Sequence, residues 1–384
     1  MSQSVLPKPE NRRFNELTVQ FDPRIELVSI ILCLTDYHEK TVGGISHYDD
    51  LYYQRAMQHF GKYRDHEAVV HAQKMVNDWV PDGNWAMWAL KLDKNLNLTE
   101  PGWLIDPKDE NTSKSFLNAA KDFAETTHFN VFYEQSRTWY NSILEEYALI
   151  NPGIEVIREI ENFYRMGSHP FRIILAALLS VGAHKGILQK EDNQLIVNAV
   201  ISRERPLKSE EGRAIAHLWT KNVELYFAKM RKITKGRRLS FDFSSLGFRF
   251  LLFHEFSHSF VNPALEKFSD RVSSLEPLFT SREEILRKYT TASIEAMIIE
   301  MVIRSFEVFE LLKQGEEEQA ANKLKDNINQ GYFLSVETLA LLKEYARMKE
   351  QYKSFENFVP VILSRYETEA RAIQNLSLSE KADS

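Results

Sequence analysis

Apolar residues recur at three- and four-residue intervals along most of the chain, which is the period of helices that pack against a core. In the N-terminal half this period predicts helices at 24–34, 48–60, 63–79, 115–128, 131–147 and 151–165. In the C-terminal half it predicts helices at 210–232, from Ser244 or Ser245 to Pro263, and at 283–312, 316–329, 336–358 and 360–373. The chain is therefore expected to be mainly helical.

Two runs, at 171–181 and 194–201, are compact, apolar and bounded by glycine and polar residues, which is typical of strands. A shorter strand is predicted at 18–23, before the helix that opens on Pro23. The polar arm up to Glu16 is expected to be extended, and the polar segment 91–114 is expected to be a long loop. The residues from about Ser377 are expected to be disordered.

Together these patterns predict an α+β fold that is mainly α-helical, with a small sheet beside the helix at 244–263. Two regions are expected. Residues 1–165 form a mainly helical region, and residues 166–384 contain that helix and a C-terminal helical subdomain. A length of 384 residues is also compatible with one continuous domain.

Composition narrows the class of protein. With 43% hydrophobic and 12% aromatic residues, the chain can bury a substantial core. Its net charge of -6 gives no reason to expect a nucleic-acid partner. Cys33 is the single cysteine, which excludes an intramolecular disulfide, and its apolar neighbours predict a buried, inert thiol.

The sequence shows no targeting or membrane-spanning segment. Its N-terminus has no long apolar stretch of the kind found in signal peptides, and no apolar run reaches the ~20 residues that a spanning helix needs. The protein is expected to be soluble and, by default, cytoplasmic. Export is expected instead if a native leader has been removed.

The segment from Phe248 to Pro263 contains the motif H-E-x-x-H, formed by His254, Glu255 and His258. Residues four apart lie on one face of a helix, so both imidazoles can point at a single ion with Glu255 beside them. The neighbours are mainly Phe and Leu, and these polar groups are costly to bury unless something satisfies them. A metal ion would do so. The alternative is a core helix whose two histidines are satisfied by backbone or carboxylate partners.

A catalytic zinc usually has three protein ligands and one water, so the motif leaves one ligand to be found. No histidine follows His258, which leaves a carboxylate or a histidine far upstream. Glu300 lies in an apolar helical run and needs a cation, which is either the metal or Arg304, four residues on. Glu295 is the alternative ligand, with Arg304 or Ser293 then supporting it.

This combination resembles the gluzincin group of zinc metallopeptidases, in which a glutamate on a later helix follows H-E-x-x-H. More narrowly, His254-Glu-Phe-Ser-His-Ser-Phe-Val-Asn-Pro263 and Glu300-Met-Val-Ile-Arg304 resemble an uncharacterised bacterial family of gluzincin-type peptidases. The segments 21–27, 330–333 and 358–360 and Tyr352 resemble it too, so the likeness covers most of the chain. The resemblance implies a zincin-like catalytic core and Glu300 as the third zinc ligand. The chain has Arg304-Ser305 where that family is expected to have Arg-Ala.

The resemblance also implies a zinc-dependent peptidase that acts on a peptide or protein substrate. Zinc held by His254, His258 and Glu300 would lower the pKa of a bound water toward ~7, and Glu255 would act as the general base. Tyr332, in a glycine-containing turn, is the nominated donor to the developing oxyanion, with a packing tyrosine as the alternative. Two other functions remain open: a catalytically idle zinc protein that captures a peptide, and a structural helical protein whose motif is accidental.

Overall fold

The structure is a computed structural model that describes residues 5–40, 50–77, 82–99, 110–180, 183–191, 193–203, 239–289 and 291–382, with a few isolated positions between 211 and 233. The chain divides into two compact units. The first comprises Met1–Ile154, His169–His217 and Glu224–Arg249, and the second comprises Glu155–Ser168, Leu218–Val223 and Phe250–Ser384.

The first unit contains a five-stranded mixed sheet in the order β1-β2-β3-β5-β4. Its strands are β1 (Glu10–Phe14), β2 (Leu17–Phe21), β3 (Phe171–Ala176), β4 (Lys185–Glu191) and β5 (Gln194–Ser202). The three central strands are parallel, with Val19 opposite Ile173 and Ile173 opposite Ala199. The outer strands β1 and β4 pair antiparallel to their neighbours. A mainly helical chain with a small mixed sheet confirms the predicted α+β class.

The three predicted strands are confirmed as β2, β3 and β5, whereas the two edge strands were not predicted. The segment expected to be a polar extended arm contains β1, and β4 lies between the two apolar runs, where no strand was expected. Both edge strands are largely polar and half-exposed. Because an edge strand is held by backbone hydrogen bonds to one neighbour, it needs no continuous apolar run.

The helices of the first half are α1 (Pro23–Cys33), α2 (Tyr37–Lys40), α3 (Leu51–Phe60), α4 (Glu67–Asn77), α5 (Asp82–Leu90), α6 (Glu110–Thr126), α7 (Phe129–Gln135), α8 (Arg137–Ile150) and α9 (Gly153–Tyr164). Helix α1 begins at its proline, and the Asp22 carboxylate caps it by accepting from the Arg24 amide. The predicted helix at 131–147 is wrong in one respect, because Ser136 separates α7 from α8. The Ser136 hydroxyl donates back to the Phe132 carbonyl, which favours a break there.

The helices of the second half are α10 (Leu246–Glu266), α11 (Ser269–Ser273), α12 (Glu276–Thr280), α13 (Glu283–Lys288), α14 (Ile294–Lys313), α15 (Glu317–Asn329), α16 (Ser335–Arg347) and α17 (Phe355–Ala382). Three predicted boundaries are wrong. Helix α10 continues past Pro263, because the residues that follow, Ala264 and Leu265, are buried. The predicted helix at 283–312 is divided by a new helix start at Ser293, and the predicted helix at 336–358 ends at Arg347.

The C-terminal residues expected to be disordered continue α17 as far as Ala382. Two other predicted segments lie largely outside the described residues: most of the helix at 210–232, and the part of the loop at 91–114 between 100 and 109. The described residues 91–99 contain no helix, as expected, and α6 begins earlier than the predicted loop ends. Within the described part of the chain, no helix combines the length and apolarity needed to span a bilayer.

A buried carboxylate lies in the core of the first unit. Glu26 on α1 is completely buried, and its carboxyl oxygens accept from the Tyr52 hydroxyl at 2.6 Å and from the Ala177 amide at 3.2 Å. Burial disfavours the charged form and raises the pKa of Glu26 to about 7, because the hydrogen bonds that favour the carboxylate offset only part of this effect. The protonated form of Glu26 therefore stabilises the fold.

We expect the stability of the wild-type protein to fall relative to that of Glu26→Gln as the pH rises from about 5 to about 8. The unfolded side chain has a pKa of 4.5, so the contribution of the Glu26 proton is present below pH 4.5 and is lost as the pH rises through about 7. The total loss is about 3 kcal/mol. Glutamine is isosteric with the protonated acid and does not titrate. Urea unfolding followed by circular dichroism measures the difference, with the exposed Glu145→Gln as control. A pH-independent difference would contradict the assignment.

Candidate metal centre

Helix α10 places the two motif histidines on one face. The helix starts after Ser245, whose hydroxyl accepts from the Phe248 amide at 3.0 Å. Its buried face includes Phe260, which stacks on Tyr164 with ring centroids 5.2 Å apart. With the buried face fixed in this way, His254 and His258 project together, and their Nε2 atoms lie 3.3 Å apart.

Helix α14 supplies the carboxylate. Its first turn is capped by Ser293, whose hydroxyl accepts from the Ala296 amide at 3.2 Å. Glu300 lies one turn further on, and its Oε1 atom is 3.6 Å from the Nε2 atoms of both His254 and His258. The three side chains form a group that could hold a metal ion. Glu295, the alternative ligand in the sequence analysis, is exposed and is not part of this group.

The spacing of the three donor atoms fits a small divalent ion. An ion held tetrahedrally with bonds of about 2.0–2.1 Å separates its ligand atoms by about 3.4 Å. The separations here are 3.3, 3.6 and 3.6 Å. The side chains of His254, His258 and Glu300 are 17%, 11% and 21% exposed, so an ion and a small solute can reach them. The three residues therefore fit a metal that takes two nitrogen ligands and one oxygen ligand.

The electrostatics of the group favour positive charge between the side chains. Burial by itself would lower the pKa of His254, but the carboxylates of Glu300 and Glu307 outweigh it and raise the pKa to about 10. Burial would likewise raise the pKa of Glu300, but His254 and Arg304 hold it well below its usual range. Glu300 is thus an anion in the folded protein, and a metal ion competes with a proton for His254.

Arg304 donates a hydrogen bond to the second carboxylate oxygen of Glu300. Its Nε donates to Glu300 Oε2 at 2.8 Å, while another guanidinium nitrogen donates to Gln330 Oε1 at 3.1 Å. From the sequence alone, the metal and Arg304 are alternative cations for Glu300. The geometry lets Glu300 serve both, because Arg304 takes Oε2 and leaves Oε1 facing the imidazoles. This division favours binding of an ion through one carboxylate oxygen.

Each imidazole has a second polar contact on its far side. The Nδ1 atom of His254 lies 3.5 Å from Glu307 Oε1, and the Nδ1 atom of His258 lies 3.2 Å from Asn262 Oδ1. Lys323 approaches the other oxygen of Glu307 at 2.9 Å. Glu307, Lys323 and Gln330 were not among the site residues predicted from the sequence. The signal for Glu307 was its position two turns beyond Glu300 on the same apolar helix.

Glu255 lies next to the first ligand and is 5% exposed. Within the described residues, its carboxylate makes no hydrogen bond or ion pair. Its oxygens are not among the buried side-chain atoms that lack a hydrogen-bond partner, and the carboxylate is available to a water or a substrate.

Tyr332 is completely buried. The guanidinium carbon of Arg304 lies over its ring, 4.8 Å from the ring centroid. The Tyr332 hydroxyl is 2.8 Å from Thr291 Oγ1. The preceding Gly331 has φ +100 and approaches Leu286 so closely that a Cβ would clash with it. These contacts place Tyr332 as a support for Arg304. Either hydroxyl can be the donor in the contact with Thr291, so the role of Tyr332 as a donor to an oxyanion stays a prediction.

Comparison with known proteins gives one match. The model of a family described as "Domain of unknown function (DUF4932)" matches residues 17–101 and 232–364, which is more than half of the chain. The chain belongs to this DUF4932 family. The second matched range contains every residue of the candidate metal centre, and the first contains β2 and the buried Glu26 of α1. No curated protein and no solved structure matches the chain.

We expect the DUF4932 chain to bind one zinc ion. We expect Glu300→Gln to weaken zinc binding by more than about 100-fold. Loss of a residue that only hydrogen-bonds to a ligand costs ~10–100-fold in affinity, and loss of the ligand itself costs more. Glu295→Gln is the matched control on the same helix and should bind zinc as the wild type does. Chelator competition measures the affinity, and metal analysis gives the stoichiometry. Equal affinities for the two variants would exclude Glu300 as a ligand.

Proposed function

We propose that the chain is a zinc-dependent peptidase with a zincin-like catalytic core. The observation that carries the proposal is a group of three side chains that could hold a metal ion, with Glu255 next to one of them in the chain and with no hydrogen bond or ion pair of its carboxylate among the described residues. Hydrolysis by a metal-activated water needs this pair of features. It requires a metal with an open position and a base that can accept the proton of the water.

The donor set supports zinc. Two imidazole nitrogens and one carboxylate oxygen are ligands of catalytic zinc sites, whereas calcium and magnesium prefer oxygen ligands throughout. Three protein donors leave a fourth tetrahedral position for a water or a substrate. Arg304 supports this arrangement, because its hydrogen bond of 2.8 Å to Glu300 Oε2 disfavours binding through both carboxylate oxygens.

Zinc bound there would supply a Lewis acid and lower the pKa of a coordinated water toward ~7. Glu255 would accept one proton from a water molecule whose oxygen attacks the carbonyl carbon of the peptide. As the C–N bond breaks, Glu255 would return the proton to the leaving nitrogen, which would depart as an amine. Among the described residues the Glu255 carboxylate makes no hydrogen bond or ion pair, which suits this role.

We expect Glu255→Gln to lower peptide hydrolysis by about 10²–10⁴-fold, because glutamine cannot accept the proton, while zinc affinity stays close to that of the wild type. The control is Glu266→Gln, an exposed position in the last turn of the same helix. Cleavage of fluorescently labelled casein and of a mixed peptide library measures activity, and chelator competition measures zinc affinity. Stoichiometric zinc in a wild-type protein that cleaves neither substrate would favour a peptide-binding protein without catalysis.

Tyr332→Phe separates the two roles of that side chain. The buried contact with Thr291 favours a structural role, so we expect the unfolding free energy to fall by about 1 kcal/mol with kcat nearly unchanged. A fall in kcat of about 10²-fold or more without loss of stability would instead assign Tyr332 to the oxyanion. Steady-state kinetics and denaturant unfolding of the same preparation distinguish the two outcomes.

A further inference from the structure

Glu307 is a buried acid that the mechanism above does not use. It lies on α14 two turns beyond Glu300, on the same face of the helix, and its side chain is 5% exposed. Its Oε1 atom lies 3.5 Å from Nδ1 of His254, which is the ring nitrogen that faces away from His258 and Glu300. Glu307 therefore contacts His254 on the side of its ring that faces away from His258 and Glu300.

The second oxygen of Glu307 is held by another helix. Lys323 on α15 brings its Nζ atom to 2.9 Å from Glu307 Oε2. Helices α14 and α15 pack through an apolar cluster in which Val308 and Leu311 meet Ala320, with Leu324 against it. This packing fixes Lys323 relative to Glu307, and the ion pair then restricts the direction in which Oε1 can point.

The two nitrogens of an imidazole point in divergent directions, and a partner at one nitrogen sets which of them carries the proton. A carboxylate at Nδ1 keeps the proton there, so the lone pair of Nε2 is directed at the point between His258 and Glu300. The same contact excludes Glu307 as a fourth ligand, because its oxygen lies at the opposite nitrogen. A carboxylate partner also raises the basicity of the imidazole toward a metal.

We propose that Glu307, anchored by Lys323, is a positioning residue that fixes the tautomer and orientation of His254 for metal binding. This inference rests on the proposed metal centre. The partner of His258 differs, since Asn262 is exposed and offers a neutral amide oxygen.

The test compares zinc affinity in the wild type, Glu307→Gln and Glu310→Gln. Glu307→Gln keeps the shape of the side chain and removes its charge, and we expect it to raise the Kd for Zn²⁺ by about 10–100-fold. Glu310 is the matched control, because it is an equally buried glutamate on the same helix whose ion-pair partner is Lys313 at 3.7 Å. We expect Glu310→Gln to leave the Kd unchanged.

Two spectroscopic measurements distinguish positioning from simple support of the fold. With Co²⁺ in place of zinc, the visible absorption bands should change in Glu307→Gln and not in Glu310→Gln. In the zinc-loaded wild type, ¹⁵N chemical shifts of labelled histidine should show His254 protonated at Nδ1 and bound to the metal through Nε2. The second measurement needs no variant, so it decides the question even if Glu307→Gln does not fold.

The outcomes separate this inference from the proposed function. A wild-type protein that binds no zinc would overturn the metal centre and this inference with it. A wild type that binds zinc would leave the centre intact, and an unchanged Kd and cobalt spectrum in Glu307→Gln would then overturn the positioning role alone. Metal binding by His254 through Nδ1 would overturn it as well.

Discussion

The convergence of two imidazoles and one carboxylate on a single point is the constraint on which the site depends. The three donor atoms lie between 3.3 and 3.6 Å from one another, so their lone pairs share one small volume. That volume favours positive charge, because Glu300 faces it directly and Glu307 lies just behind it. A metal ion satisfies all three donors at once, whereas a proton on His254 satisfies them only in part.

The helical framework makes this convergence possible. Helix α10 carries both histidines at a spacing of four residues, and helix α14 carries Glu300, Arg304 and Glu307 on one face, as the period of a helix requires. Side chains on packed helices are held more firmly than side chains on loops, which suits a metal centre that tolerates only small displacements of its ligands. Arg304 is held in turn, since it lies above Tyr332 and donates to Gln330.

Three carboxylates near the centre differ in their partners, and these partners suggest three roles. Glu300 faces the imidazoles through one oxygen and Arg304 through the other. The hydrogen bond to Arg304 restricts the rotation of the carboxylate, which suits a metal ligand. Glu307 lies between His254 and Lys323 and therefore acts through the histidine. Glu255 makes no hydrogen bond or ion pair among the described residues, which is compatible with the proposed role of general base. One type of side chain can thus serve three purposes, because the surroundings of each carboxylate decide its protonation and reach.

The local sequence determined the elements and part of the site. The period of apolar residues is enough to identify most helices and the three central strands. A helix or strand that is buried on one or both faces has apolar residues at regular positions in the sequence. The spacing of His254 and His258 likewise determines that they share a helix face. The edge strands β1 and β4 have no such apolar pattern, because backbone hydrogen bonds to a neighbouring strand hold them in place.

Only the tertiary structure decided which distant residues meet. The sequence kept both Glu295 and Glu300 as ligands, and the packing of α14 against α10 brings Glu300 to the histidines while Glu295 stays exposed. The contacts of Glu307 with His254 and Lys323 join three separate helices, and no local pattern encodes such a meeting. Helix periodicity fixes the face on which a side chain lies, but the opposing partner depends on how complete helices pack.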